Sequence, residues 1–278
     1  MNKIKKRVAT LAALSLLAGL TATADDMMAA RKIFAEKQDS VVWIAGVAKV
    51  SFSTPDSQDK PVNIPDEEVK VDALATLVDT NGLAVTSLSQ IDPAHAMNGR
   101  SLRTPKGPIQ VDAVSTLKEI RVVMADGTEI PAELVMKDVD LDLAVIRVKT
   151  TSKAANGVAF PAVDLKDSAP GVILDSVITI TRMDEIFNRA ANAIPGHIDM
   201  ITKKPRAFLR AAGATGGCPT FNMDGKLIGI TAGRLVKGKQ PAAALLPAAD
   251  VWEIVQQAAQ IKAIAPSATK PVAPASVP

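Results

Sequence analysis

The sequence predicts an all-β chain of short antiparallel strands, and three observations carry that expectation. Turn residues recur at short intervals, with 18 prolines and 16 glycines spread over 278 positions, a density that favours many short strands over long helices. The pairs Asn81-Gly82, Asp126-Gly127 and Asp224-Gly225 each stand between two apolar runs, which is a strong short-range hairpin signal. Aromatic residues make up only 3% and tyrosine is absent, so Val, Ile and Leu must fill the core. The length suits two small domains sharing an interface.

Residues 1–24 read as a signal peptide. Lys3, Lys5, Lys6 and Arg7 form a basic start, Val8–Leu20 an apolar run, and Ala22-Thr23-Ala24 a small-residue cleavage site. The apolar run is short for a membrane span. A periplasmic or secreted protein, cut after Ala24 and without a stable membrane span, is therefore expected. Cleavage removes four cations and takes the formal net charge from +3 to −1, which leaves no electrostatic case for nucleic-acid binding. Cys218 is the only cysteine, so no intramolecular disulfide can form, and it reads as a small buried residue in a tight loop.

Along the mature chain, Asp25–Lys37 has helical character and Ser40–Val50 reads as a strand. Ser51–Lys70, polar with three prolines, is expected to be an insertion loop. Val71–Val85 forms a strand pair about Asn81-Gly82, and Ile91–Thr116 is a second irregular insertion. Lys118–Lys149 is the most regular part: Ile120, Val122 and Met124 alternate, Asp126-Gly127 turns the chain, and Ile130–Met136 returns. The run DVDLDLAVIRV follows. Its alternating Asp138, Asp140 and Asp142 suggest calcium, but the EF-hand loop needs a glycine where Leu143 stands, so no metal is expected.

Thr150–Gly157 reads as the linker between a first unit, 25–153, and a second, 154–261. Arg182–Arg206 is a third irregular region. Ala211–Gly233 packs a glycine-dense loop, a strand, the Asp224-Gly225 turn and a second strand into one stretch, and Gln240–Pro247 gives a last strand. Ala248–Ile261 reads as a helix with Val251, Ile254, Val255 and Ala258 on one face, and residues 262–278, rich in Pro and Ala, as a disordered tail.

Three stretches resemble trypsin-like serine proteases of the HtrA type. GATGGCPTFNMDG, around residues 213–225, is similar to the family's nucleophile loop, Gly-Asn-Ser-Gly-Gly-Pro followed by Asn-x-Asp-Gly. GLAVTSLS, residues 82–89, is similar to the run leading to its catalytic histidine, and DVDLDLAVI to the segment carrying its aspartate. The resemblance runs from about residue 31 to 260. It implies two antiparallel Greek-key β-barrels with short helices at each end and a site in the cleft between them.

Matched residue by residue, the resemblance puts Gly216 at the serine position, Ser89 at the histidine position and Asp142 at the aspartate position. Only Asp142 keeps the family's side chain. A serine protease needs a nucleophile, a base and an orienting acid, so the resemblance implies a domain that has lost its catalytic triad. The amides of Ala214 and Gly216 would remain as an oxyanion-type binding site. Thr231, Ala232 and Gly233 would offer a strand edge to an extended peptide. A peptide- or protein-binding or regulatory module in the cell envelope follows. The alternative is an active endopeptidase using other groups, for which His95, His197 and Cys218 are available. Both histidines read more plainly as solvent-exposed loop residues. No Walker loop, Rossmann fingerprint, zincin helix or Cys-x-x-Cys pair is present, so no cofactor is expected.

Overall fold

The computed structural model describes residues 25–53, 66–97, 101–104, 107–110, 112–204, 206–234 and 242–261. The signal peptide and the C-terminal tail expected from the sequence lie outside them. Fourteen strands are present among the described residues, and twelve of these close into two six-stranded antiparallel barrels. The first barrel holds β1 (Val41–Ser53), β2 (Glu67–Leu77), β3 (Leu83–Ser87), β6 (Asp112–Val123), β7 (Glu129–Asp138) and β8 (Leu143–Val148). The second holds β9 (Ser176–Arg182), β10 (Ala191–Thr202), β11 (Phe208–Ala211), β12 (Pro219–Asn222), β13 (Leu227–Arg234) and β14 (Ala242–Pro247). The orders around the barrels are β1-β2-β3-β8-β7-β6 and β10-β11-β14-β13-β12-β9. Each barrel thus places its third strand beside its last, and the two share one topology. This is the two-barrel trypsin-like fold.

The strands that face both barrels open on short apolar runs, Leu143–Ile146 and Leu83–Val85, because both their faces are buried there. In β8, Ala144, Ile146 and Val148 point into the first barrel with Ile44, Val122 and Ile130. Leu143 and Val145 point the other way, into a cluster with Ile180, Phe221, Ile230 and Leu246 of the second barrel. β3 divides likewise, with Ala84 inside and Leu83 and Val85 at the interface. Helix α1 (residues 25–37) leads into the first barrel but packs Ala30 and Ile33 into the cluster that holds Ile178 and Leu227 of the second. The last helix of the chain (Ala248–Gln260) buries Val251, Ile254, Val255 and Ala258, as its apolar spacing indicated.

The regions expected to be irregular hold more structure than the sequence suggested. Ser51–Lys70 is strand at both its ends: β1 runs to Ser53 and β2 begins at Glu67, with Val47 opposite Lys70 and Lys49 opposite Glu68. Polar residues such as Glu67, Glu68 and Lys70 dominate this end of the ribbon, although Val50 is buried and Phe52 and Val69 pack beside it; 54–65 lie outside the described residues. Within Ile91–Thr116 stand α2 (Leu88–Ile91) running into the segment, α3 (Pro93–Met97), a hairpin of β4 (Ser101–Thr104) and β5 (Gly107–Gln110), and the start of β6. Helices are therefore not confined to the two ends of the chain, where the sequence placed them; the last one becomes α4.

Arg182–Arg206 contains β10, which pairs with β9 from Ala191↔Arg182 to His197↔Ser176. Pro195 and Gly196 concealed it. A proline cannot donate to a ladder, but β10 meets β11 only from Ile198 onward, so Pro195 stands where one edge is open.

Candidate functional site

The three positions singled out in the sequence, Ser89, Asp142 and Gly216, come together where the barrels meet. Asp142 is placed by its own run: Asp138 Oδ1 accepts the Leu141 amide at 2.9 Å. The chain then turns so sharply that Asp142 adopts φ +54°, a region that Asp tolerates better than most residues. Its side chain is 1% exposed. The carboxylate is held by four donors: Oδ1 accepts the Ser89 amide at 2.7 Å, while Oδ2 accepts Ser89 Oγ at 3.0 Å, the Gly233 amide at 2.6 Å and Ser87 Oγ. Its main-chain carbonyl also accepts the Leu88 amide at 2.8 Å. A carboxylate has about four lone-pair sites, so these donors satisfy it.

Gly233 is the glycine against the carboxylate, whereas Gly216 lies beside Ser87 and Gln90. A β-carbon there would be 2.7 Å from Gln90 Nε2 and 3.0 Å from Ser87 Cβ. The carboxamide of Gln90, carried by α2, therefore fills the space a side chain at 216 would take. Next to it, Gly217 has φ +80°, and its β-carbon would sit 1.9 Å from the Leu74 carbonyl oxygen. That close approach lets Thr76 Oγ1 of β2 donate to the Gly217 carbonyl at 2.6 Å while the Gly217 amide donates to Thr231 at 2.7 Å. Gly217→Ala is expected to lose more than about 3 kcal/mol in denaturant unfolding, since backbone on both sides must move. Gly127→Ala, with φ +85° but nothing within 4 Å, should lose only about 1 kcal/mol.

The proposed peptide edge is partly engaged already. Thr231 donates its amide to Cys218 at 2.9 Å and accepts from Gly217, Ala232 pairs with Ala244, and the Gly233 amide goes to Asp142. β12 pairs with β13 only as far as Ile230, so Gly233 and Arg234 continue beyond it. Ala214 and Gly216 are half-buried, and among the described residues their amides meet no acceptor.

Cys218 is buried, as its loop position suggested, and burial pushes its thiol up to about 12 from an ordinary 9.0 despite a hydrogen bond with Thr181. At neutral pH it is a thiol and no nucleophile. Two outcomes follow. A thiol reagent at pH 8 should label Cys218 only as fast as the chain unfolds. Because the folded pKa is the higher one, the unfolded chain gives up this proton first, so stability should fall as pH rises from about 9 towards about 12. In Cys218→Ala that part of the loss should vanish from the pH profile of the unfolding midpoint.

The two histidines depart from expectation in different ways. His197 is exposed, as read, but lies in β10 rather than in a loop. His95 is not solvent-exposed: its side chain is 13% accessible, and Nε2 stands 3.3 Å from Asp142 Oδ1. That is ion-pair range, without the alignment of a hydrogen bond. Helix α3 brings it there, with the His95 amide donating to Asp92 Oδ1 at 3.0 Å. Asp92 also accepts from Ser115 and sits 3.5 Å from Lys137 Nζ, which ties the α2–α3 corner to β6 and β7. The signal for α3 was present, since Asp followed by Pro is a helix-start pair. Nothing in the sequence marked Ser87 or Gln90. Buried polar atoms without a partner gather here too, namely Gln90 Oε1, His95 Nε2 and Thr231 Oγ1. Among the described residues no group of three or more His, Cys, Asp or Glu is placed to hold a metal, and no helix is long and apolar enough to cross a membrane.

Comparison with known proteins adds three findings. The family model of the trypsin-like peptidase domain matches residues 73–230. The solved MamO protease domain from Magnetospirillum magneticum, in its apo form, aligns at 16% identity and a TM-score of 0.46, over 80% of this chain and 98% of that one; so remote a likeness bears on neither activity nor ligands. No curated protein matches.

Proposed function

The chain belongs to the trypsin-like peptidase domain family, and from that premise we propose that it is an exported, HtrA-type pseudo-protease that holds a polypeptide in the cell envelope without cutting it. One observation carries the reading: where a nucleophile would stand, Gly216 has no side chain and the Gln90 carboxamide fills the space. The orienting acid is engaged as well, since Asp142 is bound by Ser87, Ser89 and Gly233. Ser89 is no substitute for an imidazole, because a hydroxyl is a very poor proton acceptor near neutral pH. Loss of nucleophile or base costs turnover on the order of a millionfold. What remains is suited to holding main chain: the amides of Ala214 and Gly216, and the end of β13 at Gly233. Recognition through main chain gives affinity with little sequence selectivity. The basic-apolar start and Ala22-Thr23-Ala24 support export.

His95 favours a second reading, an endopeptidase with unorthodox groups, because its imidazole stands beside Asp142. That arrangement lacks a hydroxyl on the imidazole, since Ser89 Oγ donates to the carboxylate instead. The two readings separate in one assay. Purified mature protein is expected to bind a fluorescent unfolded casein fragment by anisotropy and leave it intact on a gel. Cleavage that disappears in His95→Ala would establish the second reading and defeat the first.

A further inference from the structure

Strand β9 runs between β10 and β12, and a hollow opens beside its first residue. Ser176 stands opposite His197 of β10. On the other flank Asn222 ends β12 opposite Val177, and Met223 follows it into the turn. Neighbouring strands lie about 4.8 Å apart, so an imidazole and a thioether stand on either side of a small serine, on strands roughly 10 Å from one another. Helix α1 roofs the gap. Met27 and Ala30, three residues apart and so on one helix face, line the hollow together with Asp26, Ser176, His197 and Met223, and its volume is about 340 Å³.

We propose that this hollow binds a soft monovalent metal ion, Cu(I), through Met27, His197 and Met223. The donor set is the first reason. Thioether sulfur is a soft, polarizable donor that selects Cu(I), whereas hard cations take oxygen ligands. Imidazole serves copper as well as zinc, so copper is the metal on which two thioethers and one imidazole agree. The second reason is availability. His197 is exposed and spends only its main chain on the ladder, which leaves the ring free to turn inward. Met27 is 48% exposed, and Met223 is half-buried against the core, so neither sulfur is sealed away from an arriving ion. The third reason is charge. Asp26, in the first turn of α1, lines the same hollow, and its carboxylate offsets the charge of a bound cation. A thioether site of this kind differs from the groupings of His, Cys, Asp and Glu that the described residues lack. It lies beneath α1 and does not depend on how the inter-barrel cleft is used.

Competition against a chromophoric Cu(I) chelator without oxygen tests it on the mature chain, with Ag(I) as an air-stable second probe. One ion per chain is expected. Met27→Leu, Met223→Leu and His197→Ala should each weaken binding at least about tenfold. Met28→Leu should leave it unchanged, because Met28 neighbours Met27 in sequence but does not line the hollow. Leucine for methionine conserves volume, so these variants should melt like the parent without metal. Ag(I) should raise the unfolding midpoint of the parent but not that of Met27→Leu combined with His197→Ala. Absence of binding would overturn the proposal. So would affinity that survives His197→Ala or Met223→Leu, or that falls equally in Met28→Leu, since the ion would then sit on methionines at large. Zn(II) held as tightly as Cu(I) would overturn it too, by showing that the thioethers do not select the metal.

Discussion

Ser89→His with Gly216→Ser is expected to yield little peptidase activity until Gln90 is also reduced to alanine. The triple variant should then cleave unfolded casein at least about a hundredfold faster than wild type, within the range general acid–base catalysis supplies. The frame for the change is present. The amide of residue 89 already donates to Asp142 Oδ1 at 2.7 Å, and Gly216 is not among the residues with positive φ, so the backbone accepts a serine there. The obstacle is the Gln90 amide, 2.7 Å from the new β-carbon. It is the far end of a flexible side chain, so the double variant should fold, but with its serine crowded. Rates in the order wild type, double, triple are the expected result. A triple variant that melts like wild type and remains inert would show that the barrels do not present these positions in a catalytic arrangement.

Asp142→Ala should be among the most destabilising single changes outside the apolar core, on the order of 4 kcal/mol from urea midpoints. The carboxylate accepts from two hydroxyls and two amides, one of them across the barrel interface at Gly233. Each buried donor left unsatisfied costs about 1–3 kcal/mol. Asp142→Asn should do nearly as badly, because its NH₂ turns two donors towards donors. Asp138→Ala removes a single acceptor, the one serving the Leu141 amide, and should lose only about 1 kcal/mol. Equal and small losses at both positions would mean that water satisfies these groups as well as the carboxylate does.

The fold was legible wherever burial leaves a period in the sequence. β3 and β8 announced themselves as apolar runs because two clusters compete for their alternate residues, and the Asx-Gly turns marked the hairpins between β2 and β3, β6 and β7, and β12 and β13. It was harder to read where polar residues outnumber apolar ones: the far ends of β1 and β2 carry Lys49, Glu67, Glu68 and Lys70 beside Val50, Phe52 and Val69, and so short an alternation is easily taken for loop. β10 was hidden by Pro195-Gly196, whose tolerance depends on a missing neighbour strand.

At the site, local patterns placed Ser89, Asp142 and Gly216, since each lies in a stretch with its own turn chemistry. Contacts between stretches left no such trace. Gln90 meets Gly216 across more than a hundred residues of chain, and His95 reaches Asp142 only because a one-turn helix folds back. Spacing along the sequence holds neither fact.

The seating of helix α1 sets an order on how the molecule comes to be. Its residues are the first of the described chain, yet Ala30 lies beside Val177, Pro195 and Met223 and Ile33 beside Gly225, all in the second half of the chain. The strands of the first barrel all lie between the helix and its berth. While that barrel assembles, α1 has only water to face, and a helix of this length is marginal without a partner. Contacts of such long sequence separation form late and slow the search for the native state. Helix α1 is thus expected to settle late, once the second-barrel strands that receive it have formed.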